Sequence, residues 1–308
     1  MLAATQAAAL ACRWWVGRGD GKAADRAATE AMREVLADVR GRATVVIGEG
    51  EKDEAPMLHN GEELGDGDGP QLDLAVDPLE GTDLCADGLP GALTTIAVAE
   101  GGSLWSPGAA LYMEKLVVGP RARNAIDMRD EPEDNLRRVA EALGRSVEDI
   151  TVVVLDKGRH EDLIRRLREA GAAVSTPSAG DVTGALAALL DDGEADMLMG
   201  VGGTPEGVMT ACAVAALGGG MQGRVAPQLD EEARALRSEG ADTGRVLELD
   251  ELAGGEALFV ATGVTGGPLL RRPWWSDGQW VTESIVIAPG EVRRVVEGER
   301  ERAGAQQR

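Results

Sequence analysis

Residues 151–217 have the sequence TVVVLDKGRH EDLIRRLREA GAAVSTPSAG DVTGALAALL DDGEADMLMG VGGTPEGVMT ACAVAAL, in which short apolar runs alternate with longer amphipathic ones. The short runs predict strands and the longer runs predict helices. The predicted order is strand 151–155, helix 161–169, strand 172–175, helix 182–190, strand 195–199 and helix 205–217. Regular alternation of this kind indicates a layered α/β structure with parallel strands.

The preceding part of the chain is richer in predicted strands. A helix is expected at 25–39, followed by strands at 43–47, 71–76, 92–100 and 109–118. Residues 126–135 are polar and contain Pro132, so we expect this segment to connect two halves of the chain. The fold class is therefore mixed α/β (α+β), with a sheet-rich, metal-binding half at 1–148 and an α/β, substrate-binding half at 149–308. The charged end, 297–308, is expected to fray.

Composition excludes several classes of function. The formal charge of −22 disfavours nucleic acid and anionic membranes as partners, because both are bound by basic surfaces. Since no run of about 18 apolar residues is present, a membrane span is not predicted. The three cysteines, Cys12, Cys85 and Cys212, are odd in number and widely spaced, which is typical of a protein of the reducing cytoplasm rather than of a disulfide framework.

Two acidic segments follow predicted strands. Residues 48–54, GEGEKDE, place four carboxylates within six positions, and these repel one another unless water or cations separate them. Residues 73–82, DLAVDPLEGT, place Asp77 at the end of a strand, and Pro78 and Gly81 allow a turn that brings Glu80 and Thr82 back toward it. Such hard oxygen donors suit Mg²⁺ or Mn²⁺. The alternatives are a solvated acidic loop and a purely structural turn.

Two segments of the second half suit an anion. Residues 157–160, KGRH, place Lys157 and Arg159 between a strand and a helix, where both cations and the helix N-terminus can bind phosphate. Residues 200–207, GVGGTPEG, form another turn from strand to helix and contain Glu206. The alternatives are solvated surface cations at 157 and 159, and a Glu206 that only complements the helix dipole.

Other catalytic signatures are missing from the sequence. It contains neither the Gly-x-Ser-x-Gly motif of α/β-hydrolases nor a Gly-x-x-x-x-Gly-Lys-Ser/Thr phosphate loop, and Pro205 interrupts a dinucleotide fingerprint. The two histidines, His59 and His160, give little support to a histidine-based zinc site.

Together these segments resemble one family, the class II fructose-1,6-bisphosphatases of bacteria, within the inositol-monophosphatase-like sugar phosphatases. The resemblance spans nearly the whole chain. It rests on residues 15–20 with 24–25, 47–58, 77–82, 112–115, 157–160, 202–207, 261–263 and 282–283. One departure is at 177–181, PSAGD, where the family commonly has Pro-Asp-Gly-Asp, so that one acid is missing and one residue is inserted around Ala179.

The resemblance implies a layered αβαβα fold and hydrolysis of the 1-phosphate of fructose 1,6-bisphosphate in gluconeogenesis, with Mg²⁺ or Mn²⁺ as cofactor. It implies a homo-oligomer, a dimer or a tetramer. It assigns Asp25 and Glu49 to one metal ion and Asp77, Glu80 and Glu206 to a second. For the chemistry, Asp53 or alternatively Glu51 would activate water and Thr82 would position it. The implied substrate contacts are Gly81, Thr82, Tyr112, Lys157, Gly158, Arg159, Gly180, Asp181 and Gly203.

Two alternative functions remain open at this point. The same fold could act on sedoheptulose 1,7-bisphosphate or on an inositol monophosphate, although the pair Lys157 and Arg159 favours a bisphosphate. A non-catalytic metal-binding regulatory protein would keep the fold without turnover, and the presence of Asp53 and Thr82 argues against it.

Overall fold

The computed structural model describes residues 1–49 and 57–299. Its α-helices are α1 Leu2–Cys12, α2 Gly21–Leu36, α3 Thr82–Asp87, α4 Pro132–Leu143, α5 Glu161–Glu169, α6 Asp181–Leu189, α7 Thr204–Leu217, α8 Asp230–Glu239 and α9 Leu249–Leu252. Its strands are β1 Arg42–Ile47, β2 Glu63–Leu64, β3 Gln71–Glu80, β4 Leu93–Glu100, β5 Tyr112–Val118, β6 Thr151–Val153, β7 Ala173–Ser175, β8 Met197–Gly203, β9 Gly220–Val225, β10 Val246–Glu248, β11 Ala257–Gly263, β12 Trp274–Ser276, β13 Gln279–Ala288 and β14 Glu291–Glu299. None of the helices within these residues has the length and apolar character needed to cross a bilayer.

The first sheet has eight strands in the order β12-β13-β11-β4-β3-β1-β2, with β14 paired to β13. Strands β1 and β3 are parallel, whereas the remaining pairs of described strands are antiparallel. The register between β3 and β4 shifts between Asp77 and Glu80. Pro78 lies inside this shift, and because proline has no N–H to donate, the regular ladder is interrupted there. The interruption changes the direction of the acidic end of β3.

The second sheet has six strands in the order β10-β9-β5-β8-β6-β7. Strand β6 runs parallel to both β7 and β8, and this confirms the parallel arrangement predicted from residues 151–217. Strands β5, β9 and β10 join this parallel core in antiparallel orientation. Both sheets are therefore mixed, as the predicted fold class requires.

Helices and sheets alternate in five layers, which confirms the expected αβαβα arrangement. Helices α1 and α2 pack with the first sheet around a cluster that includes Met32, Leu36 and Leu74. Helices α4 and α5 cover the far side of the second sheet, around Leu136 and Leu167. Helices α6 and α7 lie between the two sheets, in a third cluster.

Helix α7 is the central element of this core. Its side chains from Val208 to Val214 are almost fully buried, with no polar face, because both sheets pack against it. Phe259 of the first sheet and Met113 of the second sheet belong to the same cluster. A helix that is apolar all round is typical of a fully enclosed layer.

The two sheets draw strands from both sides of the boundary expected between residues 148 and 149. Strand β5 belongs to the second sheet, and strands β11 to β14 belong to the first. The division into two halves stays a prediction, but each sheet needs strands from both. The expectation that 126–135 links the halves is wrong, because both strands that flank this segment lie in the second sheet and Pro132 begins α4. Residues 297–299 belong to β14 rather than to a frayed end.

Four of the six tryptophans in the chain surround the β12–β13 hairpin. The ring of Trp280 makes edge contacts with those of Trp14 and Trp275, at centroid distances of 6.5 and 5.4 Å. The guanidinium of Arg13 lies 4.7 Å from the centroids of both Trp14 and Trp280. This array joins the end of α1 to the hairpin, so these aromatic residues have a packing role.

A buried chain of hydroxyl groups attaches α1 to the first sheet and gives a test of this packing. Thr262 donates to the hydroxyl of Thr5 at 2.8 Å and lies 2.8 Å from that of Ser284. We expect Thr262→Val to lower the free energy of unfolding by about 1–3 kcal/mol, because it leaves Ser284 without its partner and changes little volume. Urea unfolding measures this loss. The matched change at the exposed Thr243, Thr243→Val, should stay within about 0.5 kcal/mol, and equal effects of the two changes would contradict the role of the hydroxyl chain.

Candidate active site

The ends of parallel strands bring acidic residues together. Because β1 and β3 are parallel neighbours, Glu49, just beyond β1, lies at the same edge of the first sheet as Asp77 and Glu80. Glu206 comes from the first turn of α7 in the middle layer. The site therefore lies where the first sheet meets the central helix layer.

Asp77, Glu80 and Glu206 converge on one point. One carboxylate oxygen from each lies within 4.8 Å of the other two. A donor set of carboxylate oxygens alone is typical of sites for Mg²⁺ or Mn²⁺. These three residues, which are separated by up to 129 positions (206 − 77) in the sequence, were predicted to share one metal ion.

The carboxyl groups of the site are buried close to one another, and both burial and the charges of their neighbours raise their pKa values. Burial, and after it the charges of Asp25, Asp77 and Glu206, raise the pKa of Glu49 to about 8. Burial also raises the pKa of Glu206 to about 7 and that of Asp77 to about 6. The pKa of Glu80 is raised well above its usual value, first by burial and then by Asp77. Asp25, in α2, has its pKa raised by burial.

The surroundings of Glu206 fit a divalent cation. Among the described atoms, its Oε2 is buried without a hydrogen-bond partner, as is the hydroxyl of Thr204. A buried carboxylate oxygen without a donor is costly, and a cation would satisfy it. A Cβ on Gly203 would come within 1.8 Å of this oxygen, so a larger residue at this position would force the Glu206 side chain to move. The donor chemistry and the free carboxylate oxygen both suit a metal ion.

Lys115 is a site residue that the sequence reasoning did not select. Its ammonium, almost fully buried, pairs with Asp181 and donates to the carbonyl oxygen of Gly203 at 2.7 Å. Its charge lowers the pKa of Glu206, against the effect of burial. The sequence does contain a sign that Lys115 is buried. Alternate residues of a strand share one face, so Lys115 lies on the same face as the apolar Met113.

The predicted phosphate clamp lies at the end of the second sheet. Lys157, Gly158 and Arg159 are exposed. Arg159 donates from Nε and Nη2 to the carbonyl oxygen of Val201, at 3.1 and 2.7 Å, and its guanidinium lies 5.5 Å from the centroid of the Tyr112 ring. Tyr112 is paired with Gly203 between β5 and β8. The pairing of Tyr112 with Gly203 thus connects the clamp residue Arg159 to the turn that leads into α7 and Glu206.

His160 holds the clamp against β8. Its Nδ1 lies 2.8 Å from the carbonyl oxygen of Leu155, and its Nε2 accepts a hydrogen bond from the backbone N–H of Val201 at 2.8 Å. This pattern requires the neutral ring with its proton on Nδ1. Burial lowers the pKa of His160, and the cations Arg159 and Lys157 lower it further. The histidine is therefore a support for the loop rather than a metal ligand.

The remaining predicted residues lie at turns. Gly81 has a φ of 78°, a conformation that favours glycine, and begins α3. Thr82 donates to the carbonyl oxygen of Leu79 at 3.0 Å. Gly180, with a φ of 90°, precedes the buried Asp181 at the start of α6, and Ala179 packs against the apolar cluster of the first sheet. The proposed catalytic residues Asp53 and Glu51 lie outside the described residues.

A five-layered mixed fold with a cluster of oxygen donors at the strand ends defines a metal-dependent phosphatase. The family model described as bacterial fructose-1,6-bisphosphatase, glpX-encoded, matches residues 1–299. A protein of Synechococcus sp. (strain JA-3-3Ab) is named D-fructose 1,6-bisphosphatase class 2/sedoheptulose 1,7-bisphosphatase. It is 43% identical to this chain over an alignment of 308 positions, which covers 91% of this chain and 88% of that protein. A protein of Haemophilus influenzae, named fructose-1,6-bisphosphatase class 2, is 43% identical over 297 residues, with 92% and 89% covered. The chain belongs to the class II, glpX-encoded bacterial fructose-1,6-bisphosphatases.

The pKa values of the cluster predict how metal binding depends on pH. A carboxyl group whose pKa is raised by folding stabilises the folded protein fully below its unfolded pKa, and that stability is lost as the pH rises from the unfolded pKa to the folded pKa. Without metal, the melting temperature should therefore fall as the pH rises from about 4.5, the ordinary pKa of a glutamate, to about 8, because the unfolded chain is ionised there while Glu206 and Glu49 still hold protons in the folded protein. It should thus be lower at about pH 8 than at about pH 6. Since metal binding displaces protons, Mg²⁺ should raise the melting temperature more at the higher pH.

Differential scanning calorimetry of protein treated with a chelator, with and without added Mg²⁺, measures both effects. Glu206→Gln should reduce the Mg²⁺-induced rise, whereas Glu141→Gln, an exposed position on α4, should not. A rise in melting temperature that is equal at the two pH values would contradict displacement of protons from this cluster.

Proposed function

We propose that this protein hydrolyses the 1-phosphate of fructose 1,6-bisphosphate to give fructose 6-phosphate and phosphate, a step of gluconeogenesis. The observation that carries the proposal is the convergence of Asp77, Glu80 and Glu206, together with the clamp residue Arg159, whose guanidinium lies over the ring of Tyr112. Membership of the bisphosphatase family supports the same substrate class.

The proposed cofactor is Mg²⁺ or Mn²⁺. Asp77, Glu80 and Glu206 would hold one ion, and Asp25 and Glu49 a second. This assignment agrees with the burial, and with the neighbouring charges, that raise the pKa values of Glu49 and Glu206. When bound, the ions would neutralise the acidic cluster and withdraw charge from the phosphoryl oxygens. This neutralisation allows an anionic substrate to approach a site built of carboxylates.

In the proposed reaction, water attacks phosphorus in line with the leaving oxygen of the sugar. Asp53, or alternatively Glu51, would accept the proton of the water as its oxygen bonds to phosphorus. The bond from phosphorus to the O1 oxygen of the sugar breaks, and that oxygen takes up a proton to complete the alcohol. Thr82 would hold the water or a phosphoryl oxygen by a hydrogen bond. No covalent enzyme intermediate is required.

The second phosphate and the sugar would be held by the second half of the chain. Lys157, Gly158 and Arg159 would bind the phosphate that is not cleaved, and Tyr112 would support the guanidinium of Arg159. Asp181 would accept a hydrogen bond from a sugar hydroxyl while Lys115 fixes its carboxylate. Binding energy from this distant group helps to orient the reacting phosphate. The backbones of Gly81, Gly180 and Gly203 would allow a close approach of the substrate.

Sedoheptulose 1,7-bisphosphate is the second candidate substrate, because the name of the Synechococcus relative includes both activities. An inositol monophosphate would leave the clamp without a ligand. A non-catalytic regulatory protein would leave the cluster of carboxylates without a reaction to serve. We further propose a cytoplasmic location, which the three buried free thiols support, and a homo-oligomeric state, a dimer or a tetramer.

Phosphate release measured for each combination of metal and substrate tests the proposal. With Mg²⁺ or Mn²⁺, fructose 1,6-bisphosphate should release one phosphate per molecule and fructose 6-phosphate none. Asp53→Asn should reduce kcat by about 100-fold or more, because the water loses its proton acceptor. If no sugar bisphosphate releases phosphate with either metal, the protein is not this enzyme.

The clamp makes a separate prediction about substrate affinity. Arg159→Gln should raise KM for fructose 1,6-bisphosphate by about 10- to 100-fold, the expected effect of losing charge-assisted hydrogen bonds to phosphate. KM for fructose 1-phosphate, which has no second phosphate, should change much less. Arg165→Gln is the matched control, since Arg165 lies exposed on α5 and pairs with Asp162 and Glu169. Equal changes in KM for the two substrates would exclude Arg159 from the site of the second phosphate.

A further inference from the structure

Asp181 is a further carboxylate close to the three that converge on one point. Its charge repels those of Asp77, Glu80 and Glu206. Among the described residues, the set of oxygens within 4.8 Å of one another nevertheless does not include those of Asp181. Carboxylate oxygens are preferred ligands of Mg²⁺ and Mn²⁺, so a metal ion at this point would attract a fourth one nearby. A second interaction is therefore needed to hold Asp181 apart from the other three.

A buried lysine supplies this interaction. The ammonium of Lys115 pairs with Oδ2 of Asp181 and donates to the carbonyl oxygen of Gly203 at 2.7 Å. Within the described part of the chain, Lys115 is the only hydrogen-bond donor to the Asp181 side chain. Because Lys115 is 2% exposed, water and salt screen this ion pair little. One cation thus fixes the position of the Asp181 carboxylate.

Two consecutive glycines lie beside Asp181 and Glu206. A Cβ on Gly202 would overlap with Oδ2 of Asp181, and a Cβ on Gly203 would overlap with Oε2 of Glu206. The two carboxylates therefore lie against adjacent residues of β8, and neither of these residues has a side chain that could keep them apart. Their separation depends on the charge of Lys115 rather than on steric exclusion.

We propose that Lys115 is a positioning residue that keeps the Asp181 carboxylate available to the sugar and away from the metal ion. The proposal rests on the function proposed above, in which Asp181 binds a sugar hydroxyl. Without the ammonium, the Asp181 carboxylate would turn toward the metal ion, directly or through a water molecule, and its hydrogen bond to the sugar would be lost. Lys115 thus separates a carboxylate that serves the sugar from those that serve the metal ion.

Lys115→Met, which keeps the length of the side chain and removes its charge, tests the proposal. Because the metal ion gains a carboxylate ligand, the dissociation constant of Mn²⁺ should fall by about 10-fold or more. Because the sugar loses its acceptor, KM for fructose 1,6-bisphosphate should rise by about 10-fold or more. Isothermal titration calorimetry of chelator-treated protein without substrate measures the first change, and phosphate release at saturating Mn²⁺ measures the second. A purely structural role of Lys115 would instead weaken the binding of both.

Asp181→Asn distinguishes positioning from a simple effect of charge. While Lys115 is present, Asp181 does not bind the metal ion, so this change should raise the Mn²⁺ dissociation constant by less than about 3-fold. In the Lys115→Met background, the same change removes a metal ligand and should raise the constant by about 10-fold or more. Equal effects in the two backgrounds would mean that the two charges act independently, and would overturn the proposal.

Val139→Ala is the control for a loss of stability, since Val139 is fully buried in the apolar cluster on the far side of the second sheet. It should lower the melting temperature and leave both constants unchanged. Circular dichroism shows whether each variant is folded. If Lys115→Met does not fold, Lys115→Gln, which keeps a hydrogen-bond donor without the charge, should show the same two changes.

The two measurements have separate meanings. A Mn²⁺ dissociation constant that is unchanged or higher in the folded lysine variant, or an unchanged KM, would overturn the role of Lys115. If the unmodified protein releases no phosphate from a sugar bisphosphate, the proposed function fails, whereas the Mn²⁺ measurements still show whether Lys115 holds Asp181 away from the metal ion.

Discussion

Repulsion between buried carboxylates is the constraint on which the site depends. Carboxylate oxygens of Asp77, Glu80 and Glu206 lie within 4.8 Å of one another. The pKa of Glu49 is raised by burial and by the charges of neighbours that include Asp77 and Glu206. Among the described residues, the protein balances this repulsion only in part, through the buried ammonium of Lys115 next to Asp181. The rest is balanced by protons or by cations. The site thus has an excess of negative charge, which favours the binding of metal ions. Bound metal ions would in turn favour the binding of phosphate.

The layers of the fold keep these like charges together. Helix α7 is enclosed by both sheets, so its first turn cannot move Glu206 away without disturbing the core around Val208 and Phe259. The shift of register at Pro78 fixes Asp77 and Glu80 at the end of a central strand of the first sheet. Packing energy from the apolar layers thus offsets the electrostatic cost of the site. The residues around the cluster are accordingly apolar, as are Val208 and Phe259, or glycine, as is Gly203.

Much of this architecture could be predicted from sequence, and the errors have physical reasons. The strands and helices of 151–217 were predicted because buried parallel strands are continuous apolar runs. The segment at Pro132 was misinterpreted because proline suits the first turn of a helix as well as a loop. Strand β14 was missed, since an uncovered edge strand has charged residues on both faces. The motifs identified the acidic residues, but only the order of strands shows which of them meet, and Lys115 was overlooked because its partner Asp181 is 66 positions away.

The position of β11 has a consequence for how the chain folds. This strand, near the end of the sequence, lies in the interior of the first sheet between β4 and β13. During synthesis, β3 and β4 emerge long before β11, so one side of β4 stays open until β11, which begins 157 positions after the end of β4 (257 − 100), has been made. The sheet that carries Asp77 therefore closes late, through contacts between distant parts of the chain, which slows folding. The first sheet is therefore finished only after β11, β12, β13 and β14 have been made.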